Sequence, residues 1–524
     1  MNKIVIKLSL SLFAFGFTSL VFGQEVDKSV LNWYNGKAGM QTEKAYKKVK
    51  KKESTTVVVA IIDSGIDIEH EDLKGKIWTN PKEIPNNGID DDKNGYIDDI
   101  HGWNFLGNSD GQNANDMRLE KTRILAKLSK KAASESLSED EQALLDEVKA
   151  SVEEDRAMYE GYLAQMDMMG PMLAGIPAMV ASEIGKENYT EKDLKKWKAP
   201  AEKQQMKQLA LAILSGDLSE ESIAKQKEQL QNMLDTHLNP DFDGRAIVGD
   251  NPDDFSDVTY GNNDVEGPDA LHGTHVGGIV GAIRGNGLGG DGVANNVQLM
   301  SLRAVPNGDE FDKDIALAIR YAVDNGASII NMSFGKAYSP HQKEVYEAFA
   351  YADSKGVLCI HAAGNDHKDI DKEPNYPTSR YVFQTEKLDH FLTIGSTTKE
   401  TEEKLPSPFS NYGQKTVDVF APGSEIYNSV PQSDYATLQG TSMACPMVAG
   451  AAAFLKSYFP NKSMKEIANV LLTSSRSYKG AMQTHPNTKE MVDFGTLSVT
   501  GGVVDLYSAV QILLAEEKAA KAKK

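Results

Sequence analysis

Three short stretches hold side chains that could share covalent chemistry: Asp63 in "AIIDSGID", His272 in "LHGTHVGGIVGA" and Ser442 in "GTSMACPMVAG". An alcohol is a weak nucleophile at neutral pH, so Ser442 needs a base; His272 can take its proton and later deliver it to a leaving group. The base in turn needs a carboxylate to fix its tautomer and stabilise the imidazolium, and Asp63 is the candidate. Nothing in the spacing alone brings the three together, and each has an ordinary structural reading. Asp63 can end a strand and open an Asx-turn toward Gly65. His272 and His275 sit one helical turn apart and could hold a metal, but no acid stands beside them. Ser442, ahead of the apolar run "AAAFL", is what a helix N-cap looks like.

In the order Asp, His, Ser, these stretches resemble the motifs of the subtilisin-like serine proteases, the subtilases. The similarity extends to "NMSFG" (331–335), "AAGN" (362–365), "FSNYG" (409–413) and "DVFAPG" (418–423). It covers roughly Val57 to Asp110 and Leu271 to about Val510. The resemblance implies an α/β fold with a doubly wound, mostly parallel sheet covered by helices on both faces. It also implies serine endopeptidase activity through an acyl-enzyme, with Asp63, His272 and Ser442 as the triad. Asn365 matches the residue that, with the Ser442 backbone N–H, stabilises the oxyanion. Ser333, Phe334 and Gly335 match the edge that pairs with an extended peptide, and Ala362, Ala363 and Gly364 match further substrate-binding positions.

The elements that must position these residues are visible in the apolar pattern. Val57 to Ile62 is a continuous apolar run ending at Asp63, as expected of a strand buried on both faces. Similar runs occur at "VQLMSLRAV", "GASIINMSFG" and "GVLCIHAAGN", separated by helical patterns such as Asp314 to Asn325. Strands alternating with helices predict a parallel sheet whose chemistry gathers at the carboxyl ends of the strands. Asp63, Ser333 and Asn365 each lie just past such a run.

From Gln112 to Leu238 the strand signals stop and Lys, Glu, Ala, Leu and Met dominate. Ser138 and Glu141 have capping-box spacing, and Ser219 opens another helix. The expected organisation is a signal peptide at 1–23, a catalytic domain at 24–111 and 239–513 interrupted by a helical insertion at 112–238, and a charged tail at 514–524. The centre of the insertion, "QMDMMGPMLAGIPAMV", is read as broken by Gly and Pro. Its methionines are either the core of the insertion or an adaptable substrate-contacting surface. The segment 24–62 is expected to be too short for the inhibitory propeptide usual in secreted subtilases, and the insertion is read either as a lid or folding aid or as a peripheral decoration.

An apolar stretch behind Lys3 and Lys7 reads as a cleavable export signal, so the expected location is periplasmic or extracellular, with no stable membrane insertion afterwards. The two cysteines, Cys359 and Cys445, lie in apolar segments and give no disulfide framework. A net charge of -19 lacks the Lys/Arg excess that a nucleic-acid surface needs. The expected partner is a protein or peptide held in extended form.

Calcium is the expected ion. "DDDKNGYIDD" places Asp90, Asp92, Asn94, Tyr96 and Asp98 at alternate positions, with Gly95 sixth and Asp99 as a candidate closing ligand. A second site is suggested by Asp72 and Asn286, which resemble another calcium site of the family.

Overall fold

From Val57 to Ile62 every residue but Ala60 is β-branched, which favours extended backbone packed on both faces. In the computed structural model this run forms β1 (Val57–Asp63). The structure describes residues 30–216, 218–384 and 387–523, and the expected export signal at 1–23 lies outside the described residues. The chain divides into two compact units, one reaching to Asn115 and resuming at Arg245, the other Asp116–Gly244.

The strands after β1 are β2 (Gly102–Asn104), β3 (Val297–Arg303), β4 (Ile329–Met332), β5 (Leu358–Ala362), β6 (Phe391–Thr397) and β7 (Val419–Pro422). They are followed by β8 (Ile426–Val430), β9 (Asp434–Leu438), β10 (Arg476–Ser477), β11 (Met482–Thr484), β12 (Met491–Asp493) and β13 (Gly502–Val503). In chain order the helices are α1 (Thr42–Val49), α2 (Glu120–Ala132), α3 (Glu139–Ile184), α4 (Glu191–Lys196), α5 (Gln204–Ser215) and α6 (Glu220–Asn232). Next come α7 (Leu271–Gly281), α8 (Asp312–Asp324), α9 (Gln342–Ser354), α10 (Thr441–Tyr458), α11 (Met464–Thr473) and α12 (Leu506–Ala522).

A nine-stranded sheet runs in the order β10-β13-β7-β6-β5-β4-β1-β3-β2. It is parallel except where β10 meets β13. Strand β1 lies between β4 and β3, where the strand order reverses, and open α/β sheets bind ligands beyond the carboxyl ends at such a point. The period of two along each strand divides its side chains between two layers. Val57, Val59 and Ile61 join Val276, Ile279, Val448 and Ile467 from α7, α10 and α11. Ala60 and Ile62 join Met300, Leu302, Ile315 and Phe349 from β3, α8 and α9. Each such Val or Ile contributes about 1.5–3 kcal/mol by leaving water, which is why β1 can dispense with polar alternation.

The segment ahead of β1 belongs to this unit. Tyr34, Met40, Ala45 and Val49 are fully buried, and the Leu506 N–H donates to the Met40 carbonyl. Two buried cations, Arg245 and Lys313, are balanced by acids: Arg245 lies 2.5 Å from Asp314, and Lys313 2.7 Å from Asp250. The residues assigned to a charged tail, 514–522, continue α12. Their Ala, Glu and Lys are good helix formers, and Glu516 and Glu517 pair with Lys462 and Lys52.

The unit from Asp116 to Gly244 is helical. Ser138 and Glu141 form a reciprocal capping box at the start of α3, Thr190 and Asp193 form another at α4, and Ser219 caps α6. Helix α3 is 46 residues long and passes through Gly170–Pro171 and Gly175–Pro177 without interruption, against the expected break. Gly170 lacks the Cβ that a following proline ring would strike. Beyond it, Ile176 and Val180 pack with Leu194 and Ala210, so tertiary burial overrides the local preference. Of the methionines, Met166 is buried, whereas Met168 and Met179 are exposed. No helix among the described residues is long and apolar enough to cross a membrane.

Candidate active site

Asp63 ends β1, and His272 is the second residue of α7. His272 Nδ1 donates to Asp63 Oδ1 at 2.6 Å, and the Ser64 N–H donates to the same oxygen at 2.8 Å. A Cβ on Gly273 would lie 2.0 Å from the Gly65 carbonyl, so only glycine lets α7 approach β1 this closely. Burial pulls the imidazole pKa down, but the Asp63 charge and hydrogen bond outweigh it and hold the pKa above the usual histidine value. The outcome fits the ring's position, because 36% of its side-chain surface remains open to solvent.

His275 turns elsewhere. Its Nε2 meets the Ile426 and Ala436 carbonyls of the β8–β9 hairpin, and burial pushes its pKa down to about 3. The two histidines therefore serve different partners, not one metal.

Ser442 is the second residue of α10, whose N-cap is Gly440, so its side chain does not cap the helix. Its Oγ donates to the Ser333 carbonyl at 3.1 Å, and Ser333 Oγ donates back to the Ser442 carbonyl at 2.9 Å. The second bond follows from Pro446. Four residues on, it lacks the N–H that would occupy the Ser442 carbonyl in a regular helix. The structure brings Asp63 and His272 into contact, while the Ser442 hydroxyl is engaged with Ser333.

Asn365 lies across from Ser442. Its Oδ1 accepts from Thr441 N and Oγ1. A Cβ on Gly440 would lie 3.4 Å from Asn365 Nδ2 and 3.5 Å from the Ser442 backbone N, so the two nitrogens border one small space. The backbone there, with φ of 152°, is one that residues with a Cβ avoid. An oxygen that gains negative charge in that space would meet two donors.

The surrounding edge is braced by groups the motif reading did not assign. Thr441 Oγ1 accepts from Gly364 N, while Asn411 Nδ2 donates to the Ala363 carbonyl and its Oδ1 accepts from the Asp366 and Lys368 N–H groups. Asn375 Nδ2 also reaches the Ala363 carbonyl, and the Asn375 amide is the nearest group to a Cβ on Gly335. The side chains of Ala362 and Ala363 are buried in the core, so only their backbone faces this region. Phe334 is buried and Gly335 exposed. Cys445 is sealed in, its thiol donating to the Ile360 carbonyl and pushed up to about 12 by burial, which leaves it inert as a nucleophile.

At the acidic loop, carboxylate oxygens of Glu83, Asp90 and Asp92 lie within 4.8 Å of one another. Glu83 is 7% exposed, and its Oε2 has no hydrogen-bond partner, an orphaned buried oxygen suited to a hard cation. The other expected ligands are engaged differently. Asp98 accepts from the Asn87 and Gly88 N–H groups, and Asp99 from Asn80, Asn94 and Tyr321. Asn94 Oδ1 accepts from Tyr96 N, and the Tyr96 ring packs against Trp103 and Tyr321. Asp72 and Asn286 do meet, at 2.6 Å, and Asp72 Oδ2 is buried without a partner. Glu83 was missed because it stands seven positions before Asp90, outside any alternate-position pattern.

Comparisons with known proteins place the chain in a family. The profile of the subtilase family matches residues 54–495. The chain is 38% identical over 222 residues to the thermophilic serine proteinase of Bacillus sp. (strain AK1), an alignment spanning 42% of this chain and 49% of that protein. It is 34% identical over 274 residues to thermitase of Thermoactinomyces vulgaris, spanning 52% and 84%. The chain thus spans about half the length of the first relative and most of the second. Among solved structures, a protease from Pseudoalteromonas arctica PAMC 21717 aligns at 28% identity and a TM-score of 0.39, over 48% of this chain and 78% of that one. The match over residues 54–495, most of the sequence, shows that this chain belongs to the subtilase family.

Proposed function

We propose that the protein is a serine endopeptidase that cleaves peptide bonds through an acyl-enzyme. The observation that carries this is the 2.6 Å contact between His272 Nδ1 and Asp63 Oδ1, joining residues 209 positions apart. When a peptide binds, the Ser442 hydroxyl leaves the Ser333 carbonyl and donates to His272 Nε2. Its oxygen attacks the scissile carbonyl as His272 takes the proton, and Asp63 stabilises the imidazolium. The carbonyl oxygen becomes an oxyanion held by Asn365 Nδ2 and the Ser442 N–H, helped by the positive end of α10. The intermediate collapses, His272 gives its proton to the leaving amine, and water repeats the sequence to release the acid. The peptide lies extended along Ser333, Phe334 and Gly335, with Ala362, Ala363 and Gly364 forming the facing wall.

In this reading the catalytic domain is interrupted by the helical insertion at 112–238, and the protein acts after export. Glu83, Asp90 and Asp92 would hold calcium, with Asp72 and Asn286 at a second site. The ion supplies positive charge that lets these carboxylates share one place, and no step of the reaction passes through it.

Incubating the wild type with a fluorophosphonate probe and an unstructured protein, beside Ser442→Ala, tests the assignment. Labelling and cleavage by the wild type alone are expected. Absence of labelling overturns the nucleophile, and labelling without proteolysis points to an esterase or ligase using the same intermediate.

A further inference from the structure

His361, on β5, is 1% exposed and has no part in the reaction just described. Its Nε2 lies 2.7 Å from the Phe334 carbonyl, the middle residue of the substrate-pairing edge. The β4–β5 ladder ends at the Met332–His361 pair, so a carbonyl two residues further on has passed beyond the reach of sheet hydrogen bonding. In an extended segment the main-chain groups of successive residues face opposite sides. The Ser333 carbonyl faces the site, where it accepts from Ser442 Oγ, and the Phe334 carbonyl faces inward to His361. That alternation turns the groups of exposed Gly335 to the same side as those of Ser333. Phe334 and Phe391 flank the imidazole, with ring centroids 6.3 and 6.1 Å away, which confines it to this carbonyl. Burial pushes the ring pKa down to about 4, so at neutral pH it is uncharged and, facing an acceptor, carries its proton on Nε2.

We propose that His361 is a positioning residue for peptide binding: its Nε2–H holds the Phe334 carbonyl inward and thereby aims the main-chain groups of Ser333 and Gly335 at the substrate. The residue acts through the edge and touches no reacting atom. Its effect therefore grows with the length of peptide that pairs with the edge. A single-residue ester uses the triad and oxyanion donors but little of Ser333–Gly335, whereas a peptide with four residues on the acyl side uses all of it.

The inference rests on the reading of Ser442 as nucleophile, and its test separates the two. The quantity measured is the ratio of kcat/KM for a four-residue peptide substrate to that for a single-residue ester, in the wild type, His361→Leu and His361→Gln. Leucine leaves a buried carbonyl without a donor, so the ratio is expected to fall about tenfold, mainly through KM. Glutamine restores an N–H donor and is expected to recover most of the loss. An unchanged ratio in His361→Leu, or a glutamine variant no better than leucine, overturns the proposal. If His361→Leu does not fold, His361→Gln decides: near-wild-type kcat/KM on the ester with at most a small loss on the peptide supports the proposal, and equal fold-losses on both substrates, which leave the ratio unchanged, overturn it. Failure of the wild type to hydrolyse the ester or react with a fluorophosphonate would overturn the nucleophile assignment instead.

Discussion

The two units of this chain reach order by opposite routes. In the sheet unit, every residue assigned to chemistry stands where a strand ends or a helix begins, held by partners far away in sequence. Asp63 and His272 are 209 positions apart, and Ser333 and Ser442 are 109 apart. In the helical unit the helix starts are fixed by caps that join residues three positions apart, and the long-range bonds, such as Arg118 to the Pro240 carbonyl and Arg156 to the Leu238 carbonyl, tie its segments together without gathering a catalytic set. The difference teaches where function can be placed. Long-range closure sets angles and distances to within a few tenths of an ångström, as a catalytic constellation needs, whereas local closure stabilises helices without converging side chains on a point.

The sharpest way to break that comparison is to remove a long-range contact. Asp63→Asn is expected to lower kcat about ten-thousandfold while the helical circular dichroism signal stays the same. It also tests the pH argument. The carboxylate is what raises the His272 pKa against burial, and activity requires the neutral imidazole, so wild-type activity falls as pH drops through that raised value. In Asp63→Asn the lifting force is gone and burial remains, so the acid limb of the residual rate moves to lower pH. Movement to higher pH would contradict the assignment.

Asn365→Ala should cost a hundred- to thousandfold, about what removal of this donor costs in the family, and almost wholly in kcat. A loss confined to KM would mean that the amide holds substrate and not an oxyanion.

Chelation probes the middle ground, since the Glu83 loop is local in sequence yet brings the carboxylates of Glu83, Asp90 and Asp92 together. Wild-type protein is expected to lose several degrees of Tm in a calcium chelator, while Glu83→Gln shows a much smaller chelator-dependent shift. Equal chelator sensitivity in both would remove Glu83 from the ion's coordination.

The smallest effect lies in the helical unit. Ser138→Ala removes half of a capping box and should cost that unit about 1 kcal/mol, read by hydrogen exchange in α3, with kcat unchanged. A change in kcat would mean that the local unit helps to set the site.

The same contrast explains what the sequence made legible. β1, β3, β4 and β5 were visible because a strand buried on both faces is an unbroken apolar run, and Ser138 and Ser219 because a cap is a local pattern. The two- and three-residue strands β10 to β13 have too little length for any period to show. Asp63, His272, Ser442 and Asn365 were proposed from their motifs, and only the fold shows which of them meet: Asp63 touches His272, and the Asn365 amide nitrogen borders the Ser442 N–H beside Gly440. Asn411 lay within a quoted motif, yet its role as a brace for the Ala363–Lys368 loop depends on contacts more than forty positions away. The break expected at Gly170 and Pro171 did not occur because propensity is a weak force beside the burial of Ile176 and Val180.

A proline inside a helix normally counts as a defect. At Pro446 the defect acts as a key. The carbonyl it leaves unclaimed accepts the Ser333 hydroxyl, while the Ser442 hydroxyl reaches back to the Ser333 carbonyl, so α10 is locked to the end of β4 by two bonds running in opposite senses. A helix fixed in that way cannot slide or rotate along the sheet without breaking both. Ser442 and the Ser333–Gly335 edge, the nucleophile and the substrate edge of the proposed mechanism, then move as one body, and heat that loosens this joint removes the alignment of both at once.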